Sequence, residues 1–119
     1  MSELRNVVYS LAKTELRAGE RAKEIGNIGQ ARVCARRACG MAIEHWLGFH
    51  PNKNYGANAI TMLVKLQEDH TIPKNIRDAA ERLTKKVDSN FKTGIEEDPL
   101  QDGEIIIEYF LDKKDLKEM

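Results

Sequence analysis

The sequence predicts an all-α protein, an up-and-down bundle of four or five helices in one domain spanning residues 1–119. Three observations carry this. Apolar residues recur with helical period through most of the chain. Gly and Pro fall between the periodic segments and not inside them, Gly40 being the main exception. The one strand-like run, residues 104–111, would have no partner strand, and a lone strand leaves its backbone groups unpaired.

Residues 3–25 read as an amphipathic helix. Ser2 can cap it, Glu3 suits its positive end, and Leu4, Val8, Leu11, Ala18, Ala22 and Ile25 follow a 4-3 spacing broken by Glu15. Gly26 is a good stop. Residues 30–47 form the strongest segment: Ala31, Cys34, Ala35, Ala38, Ala42 and Trp46 make one stripe, widened by Val33, Met41 and Ile43. So broad an apolar surface predicts a central helix whose small residues admit close neighbours. Gly40 costs such a helix up to about 1 kcal/mol relative to Ala, so a packing reason is expected.

Residues 48–56 read as a loop. Asn58 can cap a short helix carrying Ile60, Leu63, Val64 and Leu66, which Asp69, His70 and Thr71 break. Thr71 or Ile72 then opens a helix with Pro73 in its first turn and Ile76, Ala79, Ala80, Leu83 and Val87 on one face. Residues 88–101 read as a polar loop pinned by Phe91 and Ile95. Asp102 can cap a last helix running through Ile105, Ile107 and Phe110 toward Glu118.

The 119 residues can bury roughly two thirds of their unfolded surface, enough for one core. Lys+Arg and Asp+Glu are both 19, so no global field draws the chain to nucleic acid or anionic membrane; any such binding needs a local patch. No apolar run approaches a bilayer span and the N-terminus has no signal pattern, so the expectation is a cytoplasmic protein off the membrane. Cys34 and Cys39 point about 140° apart on a helix and cannot bridge. Buried reduced thiols fit that reading.

The Ala-rich run Ala35–Leu47, the loop after it, the short apolar helix Ile60–Leu66, the helix opened by Ile72-Pro73-Lys74-Asn75-Ile76 and a final helix after a polar loop together resemble the HEPN family of helical bundles. The resemblance spans about residues 3–114 and rests on element order and apolar spacing. It implies a cytosolic, often dimeric bundle that pairs with a small nucleotidyltransferase or binds a nucleotide; some members are metal-independent ribonucleases acting on RNA. The chain departs from the family's polar signature. Gly40 and Glu44 stand where many members have Glu and Lys, Asn58 where many have His, and Asn90-Phe91-Lys92-Thr93 replaces an Arg-Tyr-Pro pattern.

No catalytic set emerges from the residues. An Arg–His ribonuclease pair needs a cation for the phosphorane and an imidazole for the proton. The arginine nearest before His45 is Arg37, about 80° away around a helix and about 12 Å along it. His50 and His70 lack a spaced arginine. Cys34 and His45 lie about 16 Å apart along a helix, so no zinc site forms there, and no cofactor is expected.

The expected ligand-binding residues are Arg36 and Arg37, beside small Ala35, Ala38 and Gly40, with Lys53 and Tyr55 as loop partners. Guanidinium forks match phosphate or a partner's carboxylates, and an aromatic loop residue can stack a base. The competing use of Arg37 is an intrahelical pair with Glu44. The expected function is thus a non-catalytic binding module and homodimer; a divergent endoribonuclease and a structural assembly domain are the alternatives. Far-UV circular dichroism should show about 60–70% helix against an ordinary one third. Substantial strand signal would overturn the bundle.

Overall fold

The computed structural model describes residues 2–85 and 98–111. These form five helices in chain order: α1 (Ser2–Glu24), α2 (Ile28–Leu47), α3 (Ala59–Glu68), α4 (Lys74–Thr84) and α5 (Pro99–Phe110). Among the described residues there is no strand, and the strand-like tail is helical. The expected contacts of Phe91 and Ile95, and the helix beyond residue 111, lie outside the described residues.

Local sequence sets the boundaries. Asn27 caps α2 by accepting from Gln30 N–H at 3.0 Å, and Asn58 caps α3 by accepting from Thr61 N–H at 2.9 Å. Gly26, at φ +83°, adopts the left-handed conformation that ends α1. Pro73 is the residue before α4, one position outside the first turn where the sequence put it. The last helix opens at Pro99, capped by Asp98, whose carboxylate accepts from Leu100 N–H at 3.0 Å. Asp102 is therefore not the cap but a buried residue inside α5.

The centre of the bundle is α2, which packs against all four other helices. Ala31, Ala35, Ala38, Cys39, Ala42 and Ile43 are buried to the last few square ångströms. Such a surface lets helix axes come close, and the glycines facing it show how close. A Cβ on Gly40 would meet Ala59 Cβ at 3.0 Å, so α3 begins against the bare backbone of α2. A Cβ on Gly103 would meet Leu16 Cδ2 at 3.1 Å and Ala35 Cβ at 3.4 Å, where α1, α2 and α5 converge. Gly40 thus has the packing reason its helix cost requires.

The face that α1 buries matches the expected one only in part: Ala22 is buried and Val8 packs against the core as expected, but the rest of the stripe shifts. Ala12, Leu16, Gly19 and Ala22 turn inward, whereas Leu4, Leu11 and Ile25 are exposed at 54%, 53% and 82%. The reason is shape. The inward stripe is built of small residues around Leu16 and can approach the alanine surface of α2; a stripe of two leucines and an isoleucine cannot come as near. Likewise Ile60 and Val64 of α3 remain outside while Met62, Leu63 and Leu66 are buried. In α5 the reverse holds: Ile107 is fully buried, Phe110 nearly so and Ile105 half-buried.

A half-buried ion pair joins α4 to α5, its carboxylate side buried. Arg82 of α4 grips Asp102 of α5 with Nε at 3.0 Å from Oδ1 and Nη2 at 2.8 Å. A guanidinium fork satisfies the carboxylate, which has lost nearly all its water.

Gly40→Val should destabilise the fold by about 1–3 kcal/mol, because the added branch overpacks against Ala59. Ala59→Gly in the same chain should recover part of that loss. Denaturant unfolding of the single and double variants reads both.

Candidate functional site

The four residues expected to bind a ligand fall into two clusters with different chemistry. Arg36 and Arg37 lie on α2 beside the end of α4. Lys53 and Tyr55 lie in the loop after α2 and converge on Asp69, the residue that ends α3.

At the first cluster, α4 ends with carbonyls that have no intrahelical partner. Arg36 Nε donates to the Leu83 carbonyl at 2.7 Å, and Arg32 Nη1 donates to the Arg82 carbonyl at 2.9 Å. Two guanidiniums from α2 thus cap the negative end of α4. Arg32 is only 6% exposed. Burial, and then the neighbouring charge of Arg32, lower the pKa of Arg36 from its ordinary value. Arg37, the next residue, faces solvent. Among the described residues it forms no ion pair with Glu44, so the intrahelical alternative is not realised.

The second cluster is closed on itself. Lys53 Nζ lies 2.7 Å from Asp69 Oδ2, and the Tyr55 hydroxyl donates to the same oxygen. Thr71 supplies two further donors to Oδ1, its N–H at 3.0 Å and its hydroxyl at 2.6 Å. Burial works to raise the Asp69 pKa, but the hydrogen bonds from Lys53, Thr71 and Tyr55 outweigh it and hold the carboxyl well below the usual range. Tyr55 responds in the opposite sense: burial, then its bond to Asp69, push its hydroxyl up. Around this knot sit the rings. Trp46 lies 4.3 Å from His50, 5.0 Å from Phe110 and 5.8 Å from Tyr55 between centroids, and Lys53 Nζ stands 5.7 Å from the indole. This arrangement fixes the loop to α2, α3 and α5. It uses the donors that the sequence offered to a ligand.

Two contacts escaped sequence reasoning. Arg32 belongs to the basic patch of Arg32, Arg36 and Arg37 that the sequence shows on α2, but its partner is a backbone carbonyl fifty positions away. Arg5 lies close enough to His45 for its charge, after burial, to lower the imidazole pKa. No spacing rule links residues on two helices. The cysteines are buried as expected, and burial, then Asp102, push the Cys39 thiol up, so it stays protonated and inert.

An open groove of about 450 Å³ runs between α1 and α5, floored by Leu16 and Leu100 and edged by Lys13, Arg17 and Glu20 on one side and Asp98, Gln101 and Glu104 on the other. Lys13–Glu104 at 2.6 Å and Lys23–Asp98 at 3.2 Å tie its walls together. Its mixed charge selects no ligand class. No His, Cys, Asp or Glu cluster suited to a metal occurs among the described residues, and no described helix is long and apolar enough to cross a membrane.

Asp69→Asn should destabilise the fold by about 1–3 kcal/mol, since it removes the charged acceptor shared by Lys53 and Tyr55. The wild type has the matching pH signature. The folded-state pKa of Asp69 lies below its unfolded value of about 3.9, so its contribution is complete above that value and is lost as pH falls through the folded value. Thermal unfolding followed from pH 6 to 3 should therefore show a fall in Tm below about pH 4 that the Asn variant shows less of.

No protein-family model, curated protein or solved structure matches the chain.

Proposed function

We propose that this chain is a non-catalytic helical binding module, one that presents the arginines of α2 to an acidic ligand and acts as a homodimer. The observation that carries the reading is the pair of guanidiniums at the end of α4. Arg32 and Arg36 cap the last carbonyls of α4, Arg36 remaining half-buried, and Arg37, the next residue, is exposed. An anion reaching Arg37 and the half-buried side of Arg36 meets guanidiniums suited to phosphate or carboxylate. The resemblance to HEPN bundles supports two ligands of that chemistry, a nucleotide or RNA phosphate and the acidic surface of a partner such as a small nucleotidyltransferase. Lys53 and Tyr55 support the reading indirectly, by fixing the loop next to α2.

Arg37→Gln is the clean test, because Arg37 holds no helix end. It should leave the melting temperature within the small range of an exposed charge. It should weaken nucleotide or oligonucleotide binding by about 1.5–3 kcal/mol for each charged hydrogen bond lost. Arg36→Gln should weaken binding and also lower stability, because it uncaps α4. Wild-type chain that binds none of a panel of nucleoside triphosphates and short RNAs in calorimetric titration would refute the phosphate reading.

A second reading, a divergent endoribonuclease, has one observation in its favour. Burial, and then the charge of Arg5, lower the His45 pKa, which favours the neutral imidazole that a general base needs. RNA cleavage abolished by His45→Ala in a chain that stays folded would establish that alternative.

A further inference from the structure

The long first helix has two faces, and the described residues of the bundle pack against one. In the first five turns the inward residues Ala12, Leu16 and Gly19 lie on one side of the helix relative to Leu4; further along, Ala22 is buried on the Leu4 side itself, so the outer stripe is confined to the first half. Val7, Leu11, Thr14 and Ala18 fall within about 80° of Leu4 on the other side. The two stripes are about 120° apart. Leu4, Val7 and Leu11 are each more than half exposed. With Leu4 at the first position of a heptad, residues 4, 7, 11, 14, 18, 21 and 25 read Leu, Val, Leu, Thr, Ala, Arg and Ile, a second apolar seam densest in its first half.

Resting on the homodimer reading above, we propose that α1 of one protomer pairs antiparallel with α1 of a second copy, the two-fold axis crossing near residue 9. The charges beside the seam select this register. Shifting one helix along the other by whole heptads gives few choices. With the axis near residue 9, Leu4 faces Thr14 of its mate and Val7 faces Leu11, each twice by symmetry. On one flank Glu3 meets Arg17, again twice, with Ser10 opposite Ser10; on the other Val8 meets Val8. Every layer is apolar or neutral and both charged contacts are attractive. One heptad further along, Leu4 faces Arg21, Val8 faces Glu15 and Glu3 faces Glu24. Two heptads along, Arg17 faces Arg17. A parallel pair places Arg21 on Arg21. Thr14 enters its layer without an orphaned donor, because its hydroxyl already donates to the Ser10 carbonyl at 2.9 Å. Glu3 and Arg17 are both exposed.

The seam from Leu4 to Thr14 is only about 15 Å long, short of the roughly 800 Å² per partner that stable complexes bury. The expected dimer is therefore a micromolar one. Sedimentation equilibrium of the full chain should show concentration-dependent dimerisation. Leu11→Lys should weaken it at least about thirty-fold while circular dichroism stays native, since Leu11 lies outside the core. Glu3→Arg and Arg17→Glu should each weaken it about ten-fold. The double variant Glu3→Arg/Arg17→Glu, which swaps the charges, should return to within about three-fold of wild type. Ser10→Cys should be captured as a dimer by a short bismaleimide, the native thiols being buried. A chain that stays monomeric to about 100 µM assigns the seam to another occupant and overturns both the pairing and the homodimer reading, without touching nucleotide binding at Arg37. A dimer indifferent to Leu11→Lys, or one in which the charge swap fails to restore association, overturns the α1 register and leaves the homodimer reading standing.

Discussion

Close approach to α2 is the constraint on which the bundle rests. Alanines and a glycine along that helix give it a surface without protruding side chains, and each neighbour meets it with small residues of its own: Gly19 and Ala12 from α1, Gly103 from α5, Ala59 from α3. Dispersion contacts fall off steeply with distance, so such backbones gain from nearness what they lack in side-chain volume. The same constraint accounts for what is left outside. On α1 the face built of Leu4, Val7 and Leu11 cannot sit against this surface as closely, and it is the face turned to solvent.

Polar groups inside the bundle follow a common logic of helix ends. Arg32 and Arg36 reach across to the open carbonyls of α4, and Asp69 gathers four donors where α3 stops. Arg82 and Asp102 then join α4 to α5 with a fork whose removal on one side would strand a buried charge. The polar network and the small-residue surface divide the work. One sets distances between helix axes, and the other fixes where along those axes each helix begins and ends.

Much of this was legible in the sequence, for reasons that can be named. The α2 stripe was readable because buried alanines at helical spacing have few other uses, and Asn58 because a cap is a local rule. The α1 face was misjudged because hydropathy ranks Leu4 and Leu11 above Ala12 and Gly19, whereas packing against alanine ranks them the other way. Asp102 looked like a cap, since its partner Arg82 is twenty residues distant. Arg36 looked available to a ligand; the carbonyl it caps carries no side-chain signal at all. Lys53 and Tyr55 read as loop partners of Arg36 and Arg37, whereas the structure gathers them on Asp69, which read only as a helix breaker.

The position of α5 has a consequence for how the chain acquires its shape. The pair α1 and α2 is joined by a three-residue turn and forms from contacts close in sequence. The flank of α2 around Ala35 and Cys39 is covered only when Gly103, Ile106 and Ile107 arrive from more than sixty residues downstream. Closing so long a loop is entropically slow compared with forming a helical hairpin. During synthesis the early helices therefore wait with an apolar flank open until α5 is free to dock, and transiently open apolar surface of that kind is aggregation-prone.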